Sequence, residues 1–426
     1  MRKRAIIQVL LTGALVFLLF RGFKNEPLIV AFSRNSLNRD TIIDLRRFSS
    51  LKKLELTIQN KGDSVARLYI SPIGINTLND SSLVNSLGLD SLNDEQKCIR
   101  LWKFIGNWTD HYHLNRLVEH NYYDPATMIN GIEGGICDKR SATLANLAEC
   151  AGIPGRVYKL KNHVVTELFY NNAWHMFDAD KGIYYRRPDG EIADVAYLHA
   201  NPQIISAATK NIEGLMPKWR NEDTRRALSP TNYVDGSYKK IAKDYSAVLR
   251  LSPGEKLCFE LEPINFFNRL WRKYVGKREY PCYVRTGLRI TDLRPDMLKT
   301  DAEKERIYAC QMPYPIKHIK VSNKSVSGPV KVYYSSDSIH WALKGTLSHI
   351  NDYVAFDAFD KDNFGFTFKY YLKFEGDFIS ESEELGVETE FTFSEKVLVT
   401  NPEKAFAIRF MDSAEHDLNV HLTVVE

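Results

Sequence analysis

Cys137 stands in Gly134-Gly135-Ile136-Cys137, at the head of a stretch where Ala142, Leu144, Ala145, Leu147 and Ala148 form an apolar stripe at helical spacing. A cysteine at a helix start suits nucleophilic chemistry, because the unpaired amides and the helix dipole there favour the thiolate. The same amides are suited to an oxyanion, and the two glycines leave room for a substrate carbonyl. Gly152 and then Pro154 stop the helix. Acyl transfer through a thiol also needs a general base and a group that orients the base.

Both are found in a hairpin downstream. Strands are expected over Arg156–Leu160, His163–Tyr170 and Ala173–Asp180, with Asn171-Asn172 as a tight turn, since asparagine tolerates positive φ. That turn sets Asp180 opposite His163 and Asp178 opposite Val165. Alternation then puts His163, Val165, Glu167, Asp178 and Asp180 on one face. A helix packed on that face, with Cys137 at its near end, completes a Cys-His-Asp triad. Parity leaves two aspartates open for the orienting role, Asp180 directly opposite the histidine and Asp178 diagonal to it. The bland alternatives are a small buried cysteine and a satisfied core histidine. That description suits Cys98, Cys150, Cys258, Cys282 and Cys310 better than Cys137.

Around these residues the pattern is mixed. Lys53–Ile58 and Ala66–Ile70 alternate about a Lys61-Gly62-Asp63-Ser64 turn, a hairpin signal. From Ser91 to His113 a helix is expected, with Ile99, Trp102, Phe104, Ile105 and Trp108 on its apolar face. After about residue 230 the texture is β again, as in Leu257–Leu261, Val330–Tyr334 and Tyr370–Phe374, and the even spacing of the tail suggests a β-sandwich.

Three separate blocks carry a family resemblance. Gly135-Ile136-Cys137-Asp138, with Leu144-Ala145 and then Ala151-Gly152-Ile153-Pro154-Gly155-Arg156-Val157, resembles the central motif of the transglutaminase-like superfamily. His163–Glu167 resembles its histidine strand, and Trp174-His175-Met176-Phe177-Asp178 its aspartate strand. The resemblance covers about residues 93–200. It implies an α+β, papain-like core with Cys137 as nucleophile, His163 as base and Asp178 rather than Asp180 as orienter. The family's usual aromatic beside the cysteine is replaced here by Asp138 and Lys139. Trp102, Trp108 and Asn130 lie upstream, but no side-chain oxyanion donor is placed by sequence.

The organisation expected is a targeting segment (1–24), a small β-rich domain (25–90), a transglutaminase-like core (91–225), a β-rich connection (226–314) and a C-terminal β-sandwich (315–426). The first segment rests on Arg2-Lys3-Arg4 before the apolar run Ala5–Phe20, which is shorter than a comfortable span and has no small-x-small cleavage site after it. A membrane anchor with the remainder outside the cytoplasm is therefore preferred to a cleaved secretory signal. Hydrophobic residues at 44% and charged residues at 26% exclude a disordered or multi-spanning chain. Lys+Arg 57 against Asp+Glu 53 leaves +4 without a basic block, so no nucleic-acid partner is indicated. Six scattered cysteines with no CxxC argue against a disulfide framework or structural zinc.

No cofactor or metal is expected. Asp357, Asp360 and Asp362 miss a calcium-loop spacing at Phe364, and His111, His113 and His120 have no partner motif and are expected at the surface. The function expected is amide hydrolysis or transamidation through a thioester, on a peptide, protein or glycan-linked amide, with a weak likeness to envelope and surface-polysaccharide proteins. Tyr334–Trp341 resembles strands of carbohydrate-binding sandwiches. The alternative is a non-catalytic scaffold of the cell envelope that keeps the fold.

Overall fold

The computed structural model describes residues 29–34, 40–48, 51, 53–111, 123–160, 163–207, 234–235, 245–261, 286–291, 296–298, 305–358, 367–376, 385–398, 401–412 and 416–425. The targeting segment, His113, His120, Cys282, Asp360, Asp362 and Phe364 lie outside the described residues.

In chain order, β1 (Ile29–Arg34), β2 (Thr41–Asp44), β3 (Lys53–Asn60) and β4 (Ala66–Pro72) precede α1 (Asp80–Ser86) and α2 (Asp94–Trp108). Two-residue strands β5 (Asp110–His111) and β6 (Gly134–Gly135) lead to α3 (Cys137–Cys150). Then come β7 (Gly155–Leu160), β8 (His163–Tyr170), β9 (Ala173–Phe177), α4 (Val195–Ala200), β10 (Val234–Asp235), β11 (Leu249–Leu251) and β12 (Lys256–Leu261). The rest is dominated by strands: β13 (Thr286–Thr291), β14 (Asp296–Leu298), β15 (Glu305–Asn323), β16 (Val330–Ser335), β17 (Ala342–Leu347), β18 (Tyr353–Asp357), β19 (Thr367–Glu375), β20 (Leu385–Thr392), β21 (Ala405–Phe410) and β22 (Leu418–Val425).

The chain is mostly β, and this overturns the α+β, papain-like class expected from the sequence. Among the described residues a twelve-stranded sheet runs β1-β22-β3-β12-β13-β20-β15-β19-β16-β17, with β14 and β18 also on β15. A second sheet runs β11-β4-β21-β2, and a third β10-β7-β8-β9. The pairing crosses the boundaries expected at 90, 225 and 314, since β3 lies between β12 and β22, and β13 pairs with β20. The β-rich flanks were expected as separate domains, but their strands pair with one another over hundreds of positions.

The expected hairpin at 53–70 also changes. β3 and β4 exist as read, but they enter different sheets. Leu54, Leu56 and Ile58 from one and Ala66, Leu68 and Ile70 from the other are fully buried in the same core. Alternation reports an inward face and cannot say which sheet a strand joins. The step between the sheets is held by Asn60, whose Nδ2 donates to Ser64 O and Leu251 O, each at 2.8 Å.

α2 starts at a capping box, with Gln96 N donating to Asn93 Oδ1 at 2.9 Å and Asn93 N to Gln96 Oε1 at 3.1 Å. Its buried face carries Trp102, Ile105 and Trp108. α3 ends in a Schellman motif, with Ile153 N donating to Ala148 O (2.9 Å), Gly152 N to Glu149 O (3.0 Å) and Gly152 at φ 79°. Among the described residues no helix is long and apolar enough to cross a membrane.

Candidate active site

Three elements place Cys137. The first is α3 itself, which begins at Cys137 with Ile136 as an extended N-cap making no side-chain cap bond. The first amides of a helix have no intrahelical partner; Ile136 claims none of them with its side chain, and Lys139 N donates to Asp138 Oδ1 at 2.8 Å. The second is the parallel ladder of Asp110 with Gly134 and His111 with Gly135. Only glycine fits there, because a Cβ on Gly134 (φ 154°) would lie 2.0 Å from Asp110 O. The third is β8, to which α3 is bolted by Ser141 Oγ donating to Val164 O (3.0 Å) and Thr166 Oγ1 donating to Ser141 O (2.8 Å).

These bolts correct the parity argument. The helix lies on the side of Val157 and Val164, packed through Ala142 and Ala145, not on the face of Val165. Val165 packs with Met176 and Leu198 in a separate cluster, and Glu167 pairs with Arg156 and caps the Val195 amide. His163 is the first residue of β8 and Asp178 follows the last residue of β9. Both stand at one end of the sheet, where alternation no longer fixes direction. There His163 still meets the sulfur of Cys137.

The described structure brings Cys137, His163 and Asp178 together. His163 Nε2 donates to Asp178 Oδ2 at 2.7 Å. Burial alone would disfavour a charged ring. The charge and hydrogen bond of Asp178, joined by the Cys137 sulfur, outweigh it and raise His163 from 6.5 to about 10. Asp178 is fully buried. Its Oδ1 accepts the amides of Asp180 (3.0 Å) and Lys181 (2.8 Å), and Trp102 Nε1 donates to its carbonyl at 3.0 Å. Tyr184 packs edge-on against Trp102, 5.1 Å between centroids. Trp102 is thus tied to Asp178 through its backbone carbonyl, while Asn130 Nδ2 is spent on Thr77 O at 2.7 Å.

Asp180 does not reach His163 as a hydrogen-bond partner. Its Oδ1 meets His111 Nδ1 at 2.5 Å and Arg140 Nη1 at 3.5 Å. Burial would raise this carboxyl, but the His111 hydrogen bond and the charges of Arg140, His111 and His163 hold it well below the usual range. Arg140 is buried and also donates Nε to Thr109 Oγ1 (2.9 Å) and Nη1 to Asp180 O (3.0 Å). Sequence reasoning missed this network and left His111 without a partner. No spacing motif announces it, because it joins residues 109–111, 140 and 180 only through the fold.

A further joint was also unread. Glu133, at φ 62°, accepts from Ser394 Oγ (2.7 Å) and Lys396 N (3.1 Å), tying the residues before Cys137 to the segment after β20. Burial, with Glu395 adding to it, pushes its carboxyl up to about 7. Just after Cys137, Lys139 Nζ binds Asp138 Oδ2 (2.8 Å) and the Tyr123 hydroxyl (3.0 Å).

Other groups lie elsewhere. Glu55, Cys258 and Glu260 bring donor atoms within 4.8 Å of one another on β3 and β12, with Lys53 Nζ 3.6 Å from Glu55. Asp357 pairs with His318 at 3.1 Å. Trp341 is half-buried under Lys373, 5.5 Å from its ring, rather than in the core.

No family model matches the chain, and no curated protein matches it. Among solved structures, a mutant family 29 carbohydrate-binding module is 12% identical, covers 26% of this chain and 70% of its own, with a TM-score of 0.14. The structure of infectious bursal disease virus, Gt strain, is 7% identical and covers 94% of this chain and 81% of its own, with a TM-score of 0.16. Neither likeness is close enough to bear on the fold.

Proposed function

We propose that the chain is a cysteine-dependent acyl-transfer enzyme, related in its site to the transglutaminase-like superfamily. The observation that carries this reading is the His163 ring held between buried Asp178 and Cys137 at the open N-terminus of α3. With Nε2 on Asp178, Nδ1 is the nitrogen that exchanges a proton with the sulfur. The thiolate attacks an amide carbonyl, the His163 imidazolium protonates the leaving amine, and a thioester forms. Water or a second amine then attacks the thioester, giving hydrolysis or transamidation. The substrate proposed is a peptide, protein or glycan-linked amide.

The basic and apolar N-terminal sequence supports an anchored site outside the cytoplasm. Fractionation tests that part. The full chain should pellet with membranes, resist salt and be released by detergent, and a soluble product starting near Lys24 would contradict it. The chemistry is tested by mass spectrometry of an acylated enzyme after incubation with an activated ester. The acyl group should map to Cys137, and labelling spread evenly over the cysteines would refute the assignment.

A further inference from the structure

Two carboxylates meet at the start of the segment that leads to Cys137. Asp80 Oδ1 accepts Ala126 N and Asp124 Oδ1 accepts Thr127 N, each at 2.8 Å, so adjacent amides of one turn hold the two carboxyls side by side. The carboxyls lie within hydrogen-bond reach of each other. Asp124 is 3% exposed and Asp80 is half-buried. Among the described residues neither is paired with a cation. Two anions this close repel, and burial strengthens the repulsion.

The oxygens around the pair are neutral and unspent. Thr127 is 0% exposed, and its Oγ1 faces the Asp124 carboxyl without closing a hydrogen bond. Asn130, one turn further on, is also 0% exposed. Its Nδ2 donates to Thr77 O, and a carbonyl only accepts, so Oδ1 is fixed as the acceptor left over. The Tyr245 ring packs in one cluster with Ala126 and Ala247, and its hydroxyl lies beside the Asn130 amide in the field of both carboxylates. That hydroxyl too is buried without closing a hydrogen bond. Ala247 N donates to Leu78 O at 2.7 Å, tying the loop before Asp80 to the Tyr245 segment. Residues 77–80, 124–130 and 245–247 thus converge on one oxygen-lined corner.

We propose that this corner binds a hard divalent cation, with the carboxylates of Asp80 and Asp124 and the Thr127 hydroxyl as its protein ligands. Oxygen donors suit calcium or magnesium, and no nitrogen or sulfur is offered to a softer metal. Asn130 Oδ1 and the Tyr245 hydroxyl line the buried side, where they meet the water that such an ion carries. Asp80, the more exposed ligand, gives the way in. The cation cancels the repulsion of the two carboxylates. It also joins α1 to the turn that runs through Met128–Ile132 and Glu133 towards Cys137. Its part is to hold the segment that carries the nucleophile, and it stands independently of the acyl-transfer reading.

The test uses the full chain, stripped with EDTA and returned to metal-free buffer. Terbium, which substitutes for calcium and emits when excited through tyrosine, is titrated in. Calcium and magnesium are then added separately as competitors. Wild type should show saturable emission that one of the two displaces, and the same cation should raise the thermal unfolding temperature. Asp80→Asn and Asp124→Asn should each weaken binding about tenfold or more. Should these variants fail to fold, Thr127→Val keeps both carboxylates and the side-chain volume, and should weaken binding about threefold or more. Glu55→Gln, beside Cys258 and Glu260 on the large sheet, should leave binding unchanged. Equal binding by wild type and the Asp124 and Thr127 variants, or loss of binding in Glu55→Gln, overturns the proposal. So does a wild type whose unfolding temperature neither cation moves, which would mean that the two carboxyls share a proton instead.

Discussion

Helix α3 begins and ends with the same residue type in opposite surroundings. Cys137 is half-buried at the N-terminus, against His163, where amides and dipole favour negative charge. Cys150 is exposed at the C-terminus, where the dipole opposes a thiolate. The more accessible sulfur is thus in the poorer place for chemistry. On the proposed reading, helix polarity and the imidazole decide which sulfur reacts, rather than exposure.

Replacing the two sulfurs sharpens that contrast most. Cys137→Ala should drop acyl transfer to background, on the order of 10⁴-fold or more, while thermal unfolding shifts by no more than about 1 kcal/mol. Cys150→Ala should leave turnover unchanged. Severe unfolding of the Cys137 variant would mean a packing role.

The two aspartates come next. Asp178→Asn should cost on the order of 10²–10⁴ in turnover, by favouring the wrong tautomer and removing the charge that holds the imidazolium. It should also remove a pH dependence of stability. A histidine raised from 6.5 to about 10 stabilises the fold fully below 6.5, and that contribution is lost as pH rises through about 10. Urea titrations at several pH values should show this slope in wild type and not in the variant.

Asp180→Asn should act chiefly on stability, because it leaves buried Arg140 without a charge partner, about 3 kcal/mol by analogy with broken buried pairs. Unfolding measured near neutral pH checks it, and a loss under about 0.5 kcal/mol would show that the network is dispensable.

Glu133→Gln should have the smallest effect on turnover and show itself in the pH dependence of stability. An acid raised from 4.5 to about 7 makes the wild type less stable as pH climbs through that window, by up to about 3 kcal/mol. The glutamine variant should lack this slope and gain on wild type above pH 7. Parallel slopes for the two proteins would remove Glu133 from the account.

Much of the site was legible because it is local. The start of α3 at Cys137, its stop at Gly152, the Asn171-Asn172 turn (φ 48° and 57°) and the registers of β7–β9 all lie within about 45 residues. Turn chemistry and periodicity act over that range. The face of the sheet on which α3 packs was misread, because Val164 and Val165 are both buried and period two cannot rank the two faces. The large sheet was not legible as one sheet. β3 pairs with β22, and alternation names no partner. The Arg140–Asp180–His111 network was invisible for the same reason.

The central claim is that Cys137 is held as the reactive partner of His163. It is tested most directly by site-resolved iodoacetamide alkylation of the native chain between pH 5 and 9, with Cys150 as the exposed internal reference. Cys137 should alkylate about tenfold or more faster than Cys150 at pH 6, and should lose that lead in His163→Ala. Equal rates at the two ends of α3, slowing in parallel as pH falls, would contradict the account.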